Sequence, residues 1–243
     1  MRDTATADAI RTARLARTDP TRYLNRMGAA RLETVPADRA LQIAGDASAS
    51  ILVVRQGWLM ISKSTRDGQR QIVDFALPGD IVDPGSASAG VAATDVSSLT
   101  PVRLAILPHK DWRQLRQAHP ELQQAHDRRL AACHARLAER MLRLGKGSAE
   151  CRIAYAICEL SLRSGEAPLG DGRAVNLPLT QQVLGDFVGL SSVHVSRTLR
   201  RMRQRRILGR GDRLELVIRD MAALARLAEI DPDALRREIV PTV

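Results

Sequence analysis

Leu179-Thr180-Gln181-Gln182-Val183-Leu184-Gly185-Asp186-Phe187-Val188-Gly189-Leu190-Ser191-Ser192-Val193-His194-Val195-Ser196-Arg197-Thr198-Leu199-Arg200-Arg201-Met202-Arg203-Gln204-Arg205-Arg206 carries two short amphipathic periods separated by a glycine. Thr180 is a hydroxyl residue in the position of a helix N-cap, and Leu184, Phe187 and Val188 fall on one face of the helix it would start. Gly189 suits a tight turn that needs positive φ, and Ser191 then caps a second helix. On that second helix Val195, Leu199 and Met202 repeat at steps of four and three and form an inner face. Ser192, Val193, Ser196, Arg197 and Arg200 fall on the opposite side. The spacing predicts a helix-turn-helix over residues 180–206.

The outward face is short-chained at its start and basic after it. Small residues let a helix N-terminus approach base edges in the DNA major groove, and an arginine fork fits O6 and N7 of guanine; Arg197 is placed for that role. From Asp186 to Arg219 there are nine arginines and three acids, a balance of +6. A solvated helix face usually alternates its charges, whereas Arg200, Arg201, Arg203, Arg205 and Arg206 have no acid among them. RNA and single-strand recognition typically uses exposed aromatics, and the chain holds only 2 Phe, 2 Trp and 2 Tyr, with Phe187 on the inner face. Ile207 to Ile218 reads as a hairpin turning at Gly209 to Asp212, a basic wing beside the helices.

The charge of the whole chain points the same way. It has 243 residues, 44% hydrophobic and 26% charged, which favours two domains over one, and its net charge is +10, which points to a polyanionic partner. No apolar run approaches the roughly 18 to 20 residues that cross a bilayer. The first residues, with Arg2, Asp3, Asp8 and Arg11, lack the apolar core of a signal peptide, so the protein is expected in the cytoplasm, away from membranes. Cys133, Cys151 and Cys158 lack metal-ligand spacing and are expected as reduced, buried thiols.

Upstream of the helix-turn-helix, the segment from Leu41 to Leu107 reads as short strands: Ile51–Val54, Trp58–Ile61, Gln71–Phe75 and Val102–Leu107. Turn signals at Gly45-Asp46, Arg55-Gln56-Gly57, Asp67-Gly68 and Pro78-Gly79-Asp80 separate them, predicting an all-β roll or barrel. After Pro108 a long helical pattern begins, in which Leu122, His126, Leu130, Cys133, Leu137, Met141 and Leu144 recur at coiled-coil steps. So narrow a stripe predicts pairing with a second copy, with Arg128, Arg129, Arg136, Glu139, Arg140 and Arg143 on the polar faces and a stop at Gly145 to Ser148. A helix from Ala149 to Leu162 follows, with Ile153, Ile157 and Leu160 inward, then a Gly/Pro-rich loop from Gly165 to Pro178.

The expected fold is α+β: a helical arm over 1–30, an antiparallel, cupin-like β-roll sensor over 31–110, a long dimerisation helix over 111–147 and a winged helix-turn-helix over 148–243. This order resembles the Crp/Fnr superfamily of bacterial transcription regulators. Ile51 to Ile61, Asp67-Gly68 and Phe75 to Val82 are similar to the core of its sensor domain, and Thr180 to Leu199 to its helix-turn-helix. By that resemblance Thr180 and Gln182 contact phosphate, and Ser196-Arg197 match the end of the family's Glu-x-x-Ser-Arg reading motif, with Val193 in place of the glutamate. Valine offers an apolar contact, for example to a thymine methyl, where glutamate accepts from cytosine. The candidate DNA contacts are therefore Thr180, Gln182, Ser192, Val193, Ser196, Arg197, Arg200 and Arg201. The implied partners are double-stranded palindromic DNA, a second copy of the chain and RNA polymerase.

Cyclic-nucleotide binders of this superfamily use a glutamate for the ribose and an arginine with Ser or Thr for the phosphate. Here no Lys or Arg occurs from Gln71 to Val102, where the charges are Asp74, Asp80, Asp83 and Asp95, and a buried phosphate without a cation is costly. A cyclic nucleotide is not expected, and neither is any cofactor. Haem stays open because some relatives bind it, although His109, His119, His126, His134 and His194 all lie outside the roll's strands. The enzyme alternative, a cupin-type metalloenzyme, needs histidines on inward strands, and residues 1 to 108 contain none.

Overall fold

The computed structural model describes residues 30–82, 90–165, 174–210 and 215–240. The expected helical arm, apart from residue 30, and residues 83–89 after the Pro78-Gly79-Asp80 turn lie outside the described residues. The chain divides into two compact units, one formed by Met1–Lys63 with Asp74–Leu130, the other by Ser64–Val73 with Ala131–Thr242.

The first unit is built on two four-stranded antiparallel sheets, with orders β1-β8-β3-β6 and β2-β7-β4-β5. The strands are β1 (Arg31–Val35), β2 (Ala40–Gln42), β3 (Ser50–Gln56), β4 (Leu59–Ser64), β5 (Arg70–Ala76), β6 (Ile81–Val82), β7 (Asp95–Ser98) and β8 (Val102–Pro108). The four strands expected from turn spacing are β3, β4, β5 and β8, and four shorter ones complete the roll. β3 is apolar without alternation because both its faces are covered. Leu52 and Val54 pack with Leu59, Val96 and Leu104 inside the roll, while Ile51 and Val53 pack with Leu107, Trp112 and Leu115 on its outside.

Trp112 and Leu115 belong to α1 (His109–Ala118), which is separate from α2 (Pro120–Lys146). The continuous helix expected over 111–147 is thus broken. Pro120 is the cause: a proline disfavours the helical region in the residue before it, and His119 accordingly sits at φ −132°, ψ 88°. Proline is well placed as the first residue of the new helix, where its missing N–H costs nothing.

In the second unit α3 (Ala149–Ser164) is the central helix, buried from Cys151 to Leu162 apart from a half-exposed Arg152. Ser148 caps its start by accepting from the Cys151 N–H at 3.1 Å, and Gly165 ends it in the left-handed region at φ 68°. Then come β9 (Ala174–Asn176), α4 (Gln181–Val188), α5 (Ser192–Gln204), β10 (Leu208–Arg210), β11 (Glu215–Ile218), α6 (Met221–Ala228) and α7 (Pro232–Ile239). β10 and β11 form the expected hairpin, with Gly209 opposite Val217, and β9 adds a third strand on the far side of β11. The Gly/Pro-rich stretch is therefore not all loop: three residues pair there, too few to show a period.

A second correction concerns α2. Arg136, Arg140 and Arg143, expected on solvated faces, are buried at 6%, 7% and 7% exposure. Arg140 Nε lies 3.3 Å from one oxygen of Glu159, which is fully buried on α3, and Arg163 Nη1 lies 3.2 Å from the other. The Arg143 guanidinium stacks over the Tyr155 ring at 4.2 Å and donates to the Ala228 carbonyl. Among the described residues no helix is long and apolar enough to cross a membrane.

Candidate nucleic-acid interface

The first helix of the pair, α4, is held at its start by Thr180, whose Oγ1 accepts from the Val183 N–H at 3.1 Å. Leu184, Phe187 and Val188 are buried, as their spacing requires. Gly189 turns the chain at φ 65°, and the Leu190 N–H donates to the Gly185 carbonyl at 3.0 Å. The sequence reading missed Gly185. A Cβ there would lie 2.5 Å from the Leu190 carbonyl oxygen, so the helix-to-turn approach tolerates glycine alone.

Ser191 then caps α5, accepting from the His194 N–H at 3.3 Å. Val195, Thr198, Leu199 and Met202 are buried and fix which side faces outward. On the outer side Ser196, Arg197 and Arg200 are exposed, and Val193 is 58% exposed, the one large apolar side chain so presented from α3 onward among the described residues. His194, Arg197, Arg200, Arg201 and Gln204 line a shallow depression of about 490 Å³. Neither Arg197 nor Arg200 has an acidic partner among the described residues, so both guanidiniums present free donors.

The remaining candidates are less free. Ser192 is half-buried. Gln182 donates to Asp186 Oδ1 at 2.7 Å, and Asp186 Oδ2 accepts from Arg70 Nη2 at 2.6 Å. Arg201 Nε lies 3.5 Å from Glu150, which also pairs with Arg205 at 3.0 Å. The structure thus gathers Val193, Ser196, Arg197 and Arg200 on one open face, with Arg201 at its paired edge and Thr180 at the head of the supporting helix.

The expected seam on α2 is shorter than its periodicity. Leu122 is 2% exposed and belongs to the core with Ile51, Val53 and Trp112, and His126 meets the Trp112 ring edge-on at 5.5 Å. Cys133 and Leu144 are half-buried, whereas Leu130, Leu137 and Met141 are exposed, Met141 at 72%. Leu122 therefore leaves the set of contact residues, because the chain's own core already covers it. Cys151 and Cys158 are buried free thiols; burial pushes the Cys151 pKa up and that of Cys158 to about 12. Cys133 departs from the expectation of burial.

A β-roll, a long helix and a winged helix-turn-helix with an open cationic reading face define a two-domain DNA-binding regulator. Comparison with known proteins gives the family. Residues 32–119 match the model of the cyclic nucleotide-binding domain, and residues 135–227 that of the Crp-like helix-turn-helix domain. The chain is 29% identical over 191 residues to the nitrogen fixation regulation protein FixK of Azorhizobium caulinodans, covering 78% of this chain and 76% of that protein. It is 26% identical over 193 residues to the transcriptional activator protein FnrL of Cereibacter sphaeroides, covering 78% and 77%. The solved structure of FixK2 from Bradyrhizobium japonicum shares the fold at a TM-score of 0.73 and 22% identity, over 83% of this chain and 98% of that one. The chain belongs to the Crp/Fnr family of transcription regulators, and it is a DNA-binding regulator and not an enzyme.

Proposed function

We propose that the chain acts in the cytoplasm as a homodimer that places two copies of α5 in successive major grooves of a palindromic site, with RNA polymerase as its protein partner. One observation carries this reading: α5 presents Val193, Ser196, Arg197 and Arg200 together, and among the described residues the two arginines have no acidic partner, whereas the nearby Arg201 and Arg205 share Glu150. Two unpaired guanidinium forks beside small side chains suit base edges and flanking phosphates. Leu130, Leu137 and Met141 supply the apolar stripe for the second copy. Selection of binders from random duplexes tests the reading: a palindrome with half-sites about 34 Å apart is expected, and recovery of sequences without dyad symmetry overturns it. The dimer has its own check. Leu137→Glu places an unpaired charge in the stripe and yields monomers by sedimentation; an unchanged dimer refutes the stripe.

The roll's signal is proposed to be something other than a cyclic nucleotide, and no resident cofactor is proposed. The support is the stretch from Gln71 to Val102, which contains four aspartates and no cation. Cyclic AMP and cyclic GMP should leave DNA affinity unchanged, and tighter binding with either one refutes the proposal. A haem absorption band in the purified protein would refute the absence of a cofactor.

A further inference from the structure

We propose that Arg203, Arg206 and Arg219 form a second phosphate site, on the wing side of α5, which holds a backbone phosphodiester outside the base-reading window. The inference rests on the DNA-binding reading above. The three arginines come from three places: the last turn of α5, the bend that follows it, and the end of β11. With Leu208 and Gly209 they line a depression of about 400 Å³ that shares no residue with the one around Arg197.

Three features set this cluster apart from an ordinary basic surface. Its guanidiniums have no acidic partner among the described residues, while Arg201 of α5 and Arg205, which caps its end, share Glu150. Like charges that face one depression repel, and an anion between them removes the repulsion. The Arg203 Nε–H is enclosed and has no hydrogen-bond partner among the described residues, which is an unfilled donor directed by its own burial. The backbone is also shaped for the cluster. Arg206 adopts φ 57°, a left-handed conformation usually left to glycine, and is held there by its N–H to the Arg203 carbonyl at 2.9 Å and by Ile207 N–H to Met202 at 3.0 Å. Gly209 keeps a lane open for Arg219: a Cβ at Gly209 would lie 2.7 Å from Arg219 Nε.

Position decides the ligand. Arg203 lies on the same helical stripe as Ser192 and Ser196, and about 10 Å farther along the axis than Ser196 at 1.5 Å per residue. A cation cluster there reaches the strand backbone beside the half-site and carries no base-reading group. The ligand is a phosphate group, and duplex DNA is its proposed source.

Full-length protein with Arg203→Gln and Arg219→Gln together, and with Arg219→Gln alone, is titrated against a selected site and a random duplex over a salt series. The slope of log K against log salt should fall by about 0.9 for each arginine removed. Affinity should drop by the same factor on both duplexes, leaving the preference between them intact. Arg226→Gln, which removes an exposed arginine of α6, should leave the slope unchanged. A single uncharged methylphosphonate placed along the flank should weaken the wild type at one position and leave the double variant insensitive there. Unchanged slopes with intact binding overturn the proposal. Unchanged slopes together with a melting temperature raised by inorganic phosphate in the wild type alone would move the source to a free anion, and overturn the DNA assignment. A wild type that binds no duplex would overturn the underlying reading as well.

Discussion

The arginines of α2 and those of α5 are the same residue in opposite circumstances. Arg136, Arg140 and Arg143 are interior: Arg136 donates to the Ile239 carbonyl at 3.3 Å, Arg140 sits beside Glu159 and over the Phe187 ring at 5.0 Å, and Arg143 reaches Glu139 at 2.6 Å. Arg197 and Arg200 are exposed and have no acidic partner among the described residues. In α2 the guanidinium acts as a planar, multi-donor strut between helices, held in the interior by carbonyl acceptors, by Glu139 and Glu159 and by stacking on the Phe187 and Tyr155 rings. Arg136 Nε and Arg140 Nη2 are nonetheless buried without a hydrogen-bond partner among the described residues. In α5 the same group is left unmatched on a surface where DNA can match it. Net charge therefore misleads as a measure of interface, since part of the +10 belongs to cations that never face a partner.

The interior arginines depend most on Glu159. Glu159→Gln leaves the guanidiniums of Arg140 and Arg163 buried without their counter-charge, and should cost about 3–5 kcal/mol in urea unfolding. A smaller loss is expected from Arg143→Met, about 2 kcal/mol, because a charge-assisted bond to the Ala228 carbonyl and the Tyr155 stacking go together. Thr180→Ala removes one cap and should lower stability by about 1 kcal/mol, read from the same unfolding curves. At the other end of the scale Arg200→Gln should leave stability within about 0.5 kcal/mol of the wild type, since an exposed, unpaired side chain contributes little to folding. A large destabilisation there would mean that Arg200 has a structural partner after all.

These contrasts also explain how far the sequence could be read. The helix-turn-helix was legible because its signals are local: Thr180 and Ser191 bond to N–H groups three residues on, Gly189 takes its left-handed turn, and the apolar period matches the buried face. The four longer strands were legible from turn residues, and the pairing of β10 with β11 from its short span. The break before Pro120 was written in the residue itself but was masked by the coiled-coil steps of Leu122 and His126, which serve the chain's own core instead. β9 escaped because three residues carry no period. The burial of Arg136, Arg140 and Arg143 could not be read at all, because what covers them comes from elsewhere in the fold, as Glu159 and Tyr155 do from α3 and the Ile239 carbonyl does from α7. Of the candidate contacts, Arg197 and Arg200 emerge open, whereas the pairing of Arg201 with Glu150 needed the fold to bring the two together.

On the proposed function, α5 reads sequence through Arg197. The direct measurement is the affinity of the wild type and of Arg197→Ala for a selected palindrome and for a random duplex, at one fixed salt concentration. A loss of about 1–3 kcal/mol is expected on the palindrome, with the random duplex bound almost as before. Equal weakening on both duplexes would make Arg197 a phosphate contact, and no weakening on either would remove α5 from the interface.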